Sequence, residues 1–376
     1  MTIAAGAGDN ARPYLYGPEE AGVVEALRSG QYGHTAVTDR FEGEVATFLG
    51  VSETVAVASG TSALHVALLA AGIGPGDEVI VPSMTFCATV QAILAVGARP
   101  CFVEVSPRTL CINSGAVLDA ITADTRAVMP VLYGGRAVDL CDVRPALTER
   151  GIAVVEDAAH AFGSYNGAQR VGATGALTCF SFGPIKNLTC GQGGMIVPRN
   201  PLEADRCRKL RGLGIVESAA WRAEATGYTV DGFGLRVQMS SLNAAIGSAQ
   251  LAHFDKAETK RKALWRAYAN ALRGMDGASV VDVDVERSVP HLCAVRVHDR
   301  RDQVFRTLRA RGVGVGTHYP PNHLQSAFAA WHRPLPVTEQ VGREIMTLPF
   351  HQRMTEADVE TVTAELRQSL AQTATR

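Results

Sequence analysis

Lys186 stands in the run SFGPIKNLTCGQGG (181–194), and its surroundings set it apart from the other lysines. Those are only Lys209, Lys256, Lys260 and Lys262, in segments dense with Arg, Asp and Glu that read as solvated helix faces. Lys186 instead follows an apolar run and precedes a Gly-rich turn, with no charged neighbour for several residues on either side. Poor solvation of an ammonium lowers its pKa toward a nucleophilic amine. That is the state needed for a Schiff base with a carbonyl compound. Upstream, Glu156-Asp157 closes the apolar run IAVV. A carboxylate there needs a cationic or hydrogen-bond-donating partner. A protonated pyridinium nitrogen is one such partner; a structural salt bridge or a helix cap accounts for the same residue.

Three further features share the order of these two. Ser59-Gly60-Thr61-Ser62 marks a strand turning into a helix, where free backbone N–H groups and small hydroxyls suit a phosphate. An ordinary N-cap uses the same residues. Phe86 follows the strand-like VIVPS and could stack on a planar cofactor or serve as a core aromatic. Ser181, five residues before Lys186, is a candidate phosphate ligand. GIGPGD (72–77) precedes a strand rather than following one and reads as a plain turn. Each signal is weak alone. The ordered set is far more specific: a phosphate loop, an aromatic, an Asp, a Ser and an isolated Lys.

The elements that must position these residues are short β-rich runs alternating with helix-length segments. The runs are TVAVAS (54–59), EVIVPS (78–83), RPCFVEV (99–105), RAVMPVL (126–132), IAVVEDA (152–158), LTCFSF (177–182) and GGMIVP (193–198). Apolar strands separated by helices predict an α/β fold with a mostly parallel seven-stranded sheet covered on both faces. Ligands bind at the carboxyl ends of strands in such sheets. One long helical pattern, capped by Ser240 or Ser241, runs to about Met275, and mixed strand and helix signals follow. We expect a large domain over 1–250 and a smaller C-terminal α+β domain over 251–376.

The formal charge of −1 over 376 residues leaves no basic stripe for nucleic acid. No apolar stretch approaches a membrane span, and the N-terminus lacks a secretory pattern. Eight cysteines without a C-x-x-C pair read as reduced core residues, which predicts a cytoplasmic enzyme. No H-E-x-x-H is present, and two prolines separate His318 from His323, so no metal site is expected.

The motifs SGTSALHVAL (59–68), GPGDEVIVPSMTF (74–86), VEDAAHAFGS (155–164), SFGPIKN…GQGG (181–194), SSLNAAIGSAQL (240–251), HYPPNH (318–323) and LPFH (348–351) resemble the sugar aminotransferases of DegT/StrS type, fold-type-I pyridoxal phosphate enzymes. The resemblance implies pyridoxal 5'-phosphate as cofactor, Lys186 as the Schiff-base lysine and Asp157 as partner of the ring nitrogen. It implies that Phe86 stacks on the cofactor and that Gly60, Thr61, Ser62 and Ser181 cradle its phosphate. His160 then lies near the phenolic oxygen and His323 near the substrate. Two departures stand out. GLRVQMS (234–240) replaces G-Y-N-Y-R-M-S, so Arg236 takes the place of an Asn that reaches the partner subunit's phosphate. Arg236 could bind that phosphate or a substrate anion, or point away. Gln192 replaces the Glu of GEGG.

By resemblance, the partners are an amino-acid donor, glutamate first, and a small-molecule keto-sugar, nucleotide-linked first, with a keto-cyclitol of aminoglycoside type as the alternative. A homodimer with shared active sites is implied too. A sugar dehydratase on the same fold would carry histidine in place of Lys186. A non-catalytic binding homologue would have no need of the pair Asp157 and Lys186. The segment 215–234 is the expected specificity loop.

Overall fold

The computed structural model describes residues 6–217 and 219–374. The apolar runs become β1 (Val55–Val57), β2 (Glu78–Pro82), β3 (Arg99–Val103), β4 (Thr125–Val128) and β5 (Ala153–Asp157). A small hairpin, β6 (Tyr165–Asn166) and β7 (Gln169–Arg170), precedes β8 (Leu177–Ser181) and β9 (Gly194–Val197). The main sheet has seven strands in the order β1-β9-β8-β5-β4-β2-β3. Neighbours from β3 to β8 are parallel, and only β9 runs against them, antiparallel to both β8 and β1. The expected mostly parallel α/β sheet is therefore present. Alternation along β2 shows why its strands are apolar throughout. Ile80 joins Phe41, Met84 and Phe182 in a core on one face, while Val79 and Val81 join Leu64, Leu68 and Phe102 on the other.

Two local devices fix the strand ends that matter. Ser59 caps the helix Gly60–Ala70, its hydroxyl accepting the Ser62 amide hydrogen at 3.1 Å. Behind this turn, Arg211 and Glu42 form a buried ion pair. Glu42 also accepts the Ala56 amide hydrogen, and Arg211 donates to the Ala56 carbonyl, each at 2.7 Å. The helices Ala36–Leu49 and Pro201–Arg211 are thereby both tied to β1 just before it delivers Ser59.

The long helix expected up to about Met275 is instead two helices, Ser241–Leu251 and Phe254–Ala271. Ser240 is the cap, accepting the Asn243 amide hydrogen. Both sides of the break at Ala252–His253 share a core, with Ala244 before it and Phe254 and Ala257 after it. The first helix packs on the N-terminal helices Pro18–Ser29 and Ala36–Leu49. The second sends Leu264, Trp265 and Tyr268 into a separate core with Val295, Leu308 and Leu366. That core belongs to an antiparallel sheet of β10 (Ala278–Val280), β11 (Cys293–Val297) and β12 (Ile345–Leu348), flanked by helices Arg301–Ala310 and Glu356–Ala374. The N-terminal segment joins it as well: Ala7 is in the same core, and Asn10 donates to the Thr347 carbonyl at 3.1 Å. Among the described residues no helix is long and apolar enough to cross a membrane.

Candidate active site

A cavity of about 190 Å³ opens at the carboxyl ends of β1, β2, β5 and β8, where parallel sheets present their ligands. Gly60, Thr61, Phe86, Asp157, His160, Ser181 and Lys186 all line it. Ser62, Arg236 and His323, also singled out from the sequence, do not.

Lys186 follows β8 in a turn closed by its own amide, which donates to the Gly183 carbonyl at 3.2 Å. Burial pulls its pKa down to about 8, with the nearby charge of Asp157 pushing the other way. Asp157 ends β5 and is buried. Its Oδ2 accepts the Thr89 hydroxyl at 2.7 Å, and its Oδ1 accepts the Ala159 amide hydrogen at 3.1 Å. Burial raises its pKa, and these two donors only partly oppose that. Both donors are neutral, and among the described residues the carboxylate has no cation in contact. Glu156, one residue earlier, points to the opposite side of the strand. There it accepts the Thr178 hydroxyl at 2.7 Å and takes no part in the cavity.

The first turn of helix Gly60–Ala70 supplies the other end of the cavity. The amides of Gly60 and Thr61 have no intrahelical acceptor, as at any helix start, and the helix dipole favours an anion there. Gly60 is required by close approach: a Cβ would lie 2.6 Å from the Ser181 Cβ. The hydroxyls of Ser59 and Ser62 are 2.9 Å apart, so Ser62 is engaged with the cap rather than facing the cavity.

Phe86 is 54 % exposed and lies at the cavity with its ring centroid 5.5 Å from that of Tyr319. His160 has both ring nitrogens engaged, Nδ1 by the Gly134 amide at 3.3 Å and Nε2 by the Tyr319 hydroxyl at 3.1 Å. His323 is buried behind the wall, its Nδ1 2.6 Å from the Ser83 hydroxyl. The Ser83 hydroxyl also accepts the His323 amide hydrogen at 3.0 Å. Its neighbour Asn322 donates its side-chain amide to the carbonyls of Ser83 and Thr85, at 3.0 and 2.7 Å. The Asn322 backbone amide donates to the Ser83 carbonyl as well. His323 and Asn322 thus clip the 318–323 segment to the end of β2. Arg236 is exposed, on a segment whose Val237 carbonyl accepts the Ala58 amide hydrogen at 2.8 Å. Among its described residues, the loop 215–234 contributes nothing to the cavity wall.

Three polar lining residues escaped individual notice in the sequence reading, Thr85, Thr89 and Tyr319. Tyr319 lay in a motif already noted, HYPPNH, but nothing local says which of its side chains projects inward. Thr89 is one of several small residues on an apolar helix, and its partner is 68 positions away.

A sheet of this topology, with an isolated lysine and a buried aspartate facing one cavity beside a helix N-terminus, has the architecture of the fold-type-I pyridoxal phosphate enzymes. Residues 16–367 match the DegT/DnrJ/EryC1/StrS aminotransferase family. The chain belongs to that family and is a pyridoxal-phosphate-dependent aminotransferase. Its structure is similar to the aminotransferase TlmJ from Streptoalloteichus hindustanus, with 35 % identity over 97 % of this chain and 99 % of that one and a TM-score of 0.90. It is also similar to DesV from S. venezuelae, solved in complex with a ketimine intermediate, with 34 % identity over 96 % and 98 % and a TM-score of 0.88. The PLP form of the putative sugar aminotransferase Spr1654 from Streptococcus pneumoniae shares 25 % identity over 96 % and 98 %, with a TM-score of 0.90.

Proposed function

We propose that the enzyme moves an amino group from an amino acid, glutamate in the first instance, to a keto-sugar carried on a nucleotide. The observation that carries this reading is the pairing of Lys186 and Asp157 on one cavity, the amine depressed to about pKa 8 and the carboxylate short of a cation. The residues fit pyridoxal phosphate. A protonated ring nitrogen would give Asp157 its missing positive partner. The Gly60 and Thr61 amides and the Ser181 hydroxyl would hold the phosphate. Phe86 would cover one face of the ring. When bound, the cofactor supplies an aldehyde that condenses with amines and a ring that accepts the electron pair left by proton loss.

The remaining work falls to side chains. Nζ of Lys186 would take the proton from the α-carbon of the donor in the first half of the exchange. In the second half it would deliver a proton to the former carbonyl carbon of the sugar. Asp157 would keep the ring nitrogen protonated throughout.

Arg236 supports a homodimer in this reading. Lys186 is the only Lys or Arg side chain among the described cavity residues, yet a phosphate dianion favours a cation. Arg236 is exposed beside the strand that leads to Ser59, and the preceding segment exposes Leu213, Val216, Tyr228, Val230 and Phe233. Exposed apolar residues in this number suit a subunit interface, and there Arg236 would serve a second copy's phosphate cradle.

Purified enzyme charged with the cofactor should absorb as a lysine adduct, and borohydride should fix the label on Lys186. L-glutamate should bleach that absorbance, and nucleotide-linked keto-hexoses should restore it. Restoration by keto-cyclitols alone would overturn the sugar assignment, and a label on another lysine would overturn the site.

A further inference from the structure

Tyr319 faces the same cavity as Lys186 and Asp157, with its oxygen 3.1 Å from Nε2 of His160. The other ring nitrogen of His160 accepts the backbone N–H of Gly134 at 3.3 Å. A neutral imidazole carries one proton, so with Nδ1 accepting, that proton sits on Nε2. His160 is held neutral by burial, with the charges of Lys186 and His318 acting in the same direction. The tautomer is therefore dictated by a backbone amide, which neither titrates nor rotates away. That amide belongs to a turn at Tyr133–Gly135, where Gly134 has φ 67° and the Gly135 amide donates to the Leu132 carbonyl. The imidazole plane is fixed from below as well. His291 lies 4.3 Å from it, centroid to centroid, and contacts Asn187 through Nδ1 and Oδ1 at 3.3 Å.

Nε2–H thus donates to the Tyr319 oxygen. A phenol that accepts one hydrogen bond still has its own hydrogen to give. Burial keeps Tyr319 protonated by pushing its pKa up. Among the described residues its O–H finds no acceptor. The hydrogen is left for a ligand.

We infer that Tyr319 is a substrate-binding catalytic residue whose hydroxyl hydrogen is given to an oxygen of the molecule bound beside Lys186, and that His160 is the positioning residue that aims it. This rests on the assignment of the cavity as the aminotransferase site. It assigns His160 an indirect role, because both of its ring nitrogens are already used. The recognised chemistry is an oxygen lone pair, offered either by the donor's carboxylate or by the carbonyl or hydroxyl oxygen of the keto-sugar.

The test is Tyr319→Phe in the cofactor-charged enzyme, which deletes the hydroxyl and keeps the ring. Borohydride labelling of Lys186 and the cofactor absorbance should be unchanged. Failure of labelling in the wild-type enzyme would sink the site assignment instead, so the two failures are distinguishable. Single-turnover rates are then measured with L-glutamate and, on the pyridoxamine-charged enzyme, with a nucleotide-linked 4-keto-hexose. Loss of one hydrogen bond to the reacting molecule should slow at least one half-reaction roughly 10- to 100-fold. A loss confined to the glutamate half identifies the donor carboxylate, and a loss confined to the other half identifies the sugar oxygen. Equal rates in both halves, or loss of cofactor from Tyr319→Phe, would overturn the proposal. His160→Leu tests the positioning role: the double variant with Tyr319→Phe should be no slower than Tyr319→Phe alone. Additive losses would mean that His160 acts independently and would overturn that part.

Discussion

Thr89 donates its hydroxyl hydrogen to Oδ2 of Asp157 at 2.7 Å, and the Thr85 hydroxyl lies 2.7 Å from the Thr89 oxygen. Because Thr89 spends its single proton on the carboxylate, Thr85 is the donor to Thr89. A short relay therefore runs from the end of β2, through the first turn of helix Cys87–Ala95, to the end of β5.

Breaking the relay should be measurable without altering the shape of the site. Thr89→Val removes one of the two donors that oppose the burial-driven rise in the Asp157 pKa. The carboxylate should become harder to ionise and activity should fall by about tenfold, one ordinary hydrogen bond's worth. Asp157→Asn, which removes the charge, should cost far more. Single-turnover absorbance with glutamate distinguishes the two, and equal rates for Thr89→Val and wild type would argue against the relay.

The depressed pKa of Lys186 has a direction that can be checked in cofactor-free protein. Capture of added pyridoxal phosphate should accelerate as pH rises through about 8 and level off above it, since only the amine is nucleophilic. Asp157→Asn removes the charge that holds this pKa up, so the midpoint should move to lower pH. Stability follows the same sign. An unfolded lysine titrates near about 10.4, so between the folded and unfolded values the unfolded chain binds more protons, and stability gains from this group as pH rises across that window. A capture rate that is flat around pH 8 would contradict the assignment.

Gly60→Ala should leave the fold intact while spoiling the phosphate end. The added methyl would press on Ser181 at 2.6 Å, closer than any real contact allows. We expect cofactor affinity to fall by at least about tenfold, comparable to losing one hydrogen bond to a charged group. Equilibrium dialysis against pyridoxal phosphate reads it, and unchanged affinity would argue against this phosphate end.

If Arg236 serves a second copy, two defective chains should complement. Lys186→Ala and Arg236→Ala, each poorly active alone, would form mixed dimers in which one site has both groups. Refolding them together should restore activity, whereas a cis-acting or idle Arg236 predicts no recovery.

Arg211→Met should leave Glu42 buried and unpaired beneath β1. Removing one partner of a buried pair destabilises by about 3–5 kcal/mol. Urea unfolding monitored by circular dichroism measures it, and a change under about 1 kcal/mol, the value of a surface pair, would show that water reaches Glu42.

Much of the sheet was legible because each strand is buried on both faces, so its apolar run needs no partner to be recognised. Lys186 and Asp157 were legible for the opposite reason, as ionisable groups in apolar settings. The helix break at Ala252–His253 was not legible, since helical periodicity continues on both sides of it. His323 looked like a ligand because it is a histidine in a family motif. Its partner Ser83 is 240 positions away, so that local sequence could not show the ring turned back into the wall. Tyr319 was hidden in the same way, its orientation depending on His160, 159 positions away, and on Gly134.

The clip between Ser83 and the Asn322–His323 pair also limits how the enzyme can breathe. Five hydrogen bonds join the 322–323 backbone and side chains to the β2 end, so the Tyr319 wall travels with the large sheet. A hinge at this seam would have to break all five together. The clipped wall is therefore the fixed jaw of the cavity, and any moving part would have to close against it.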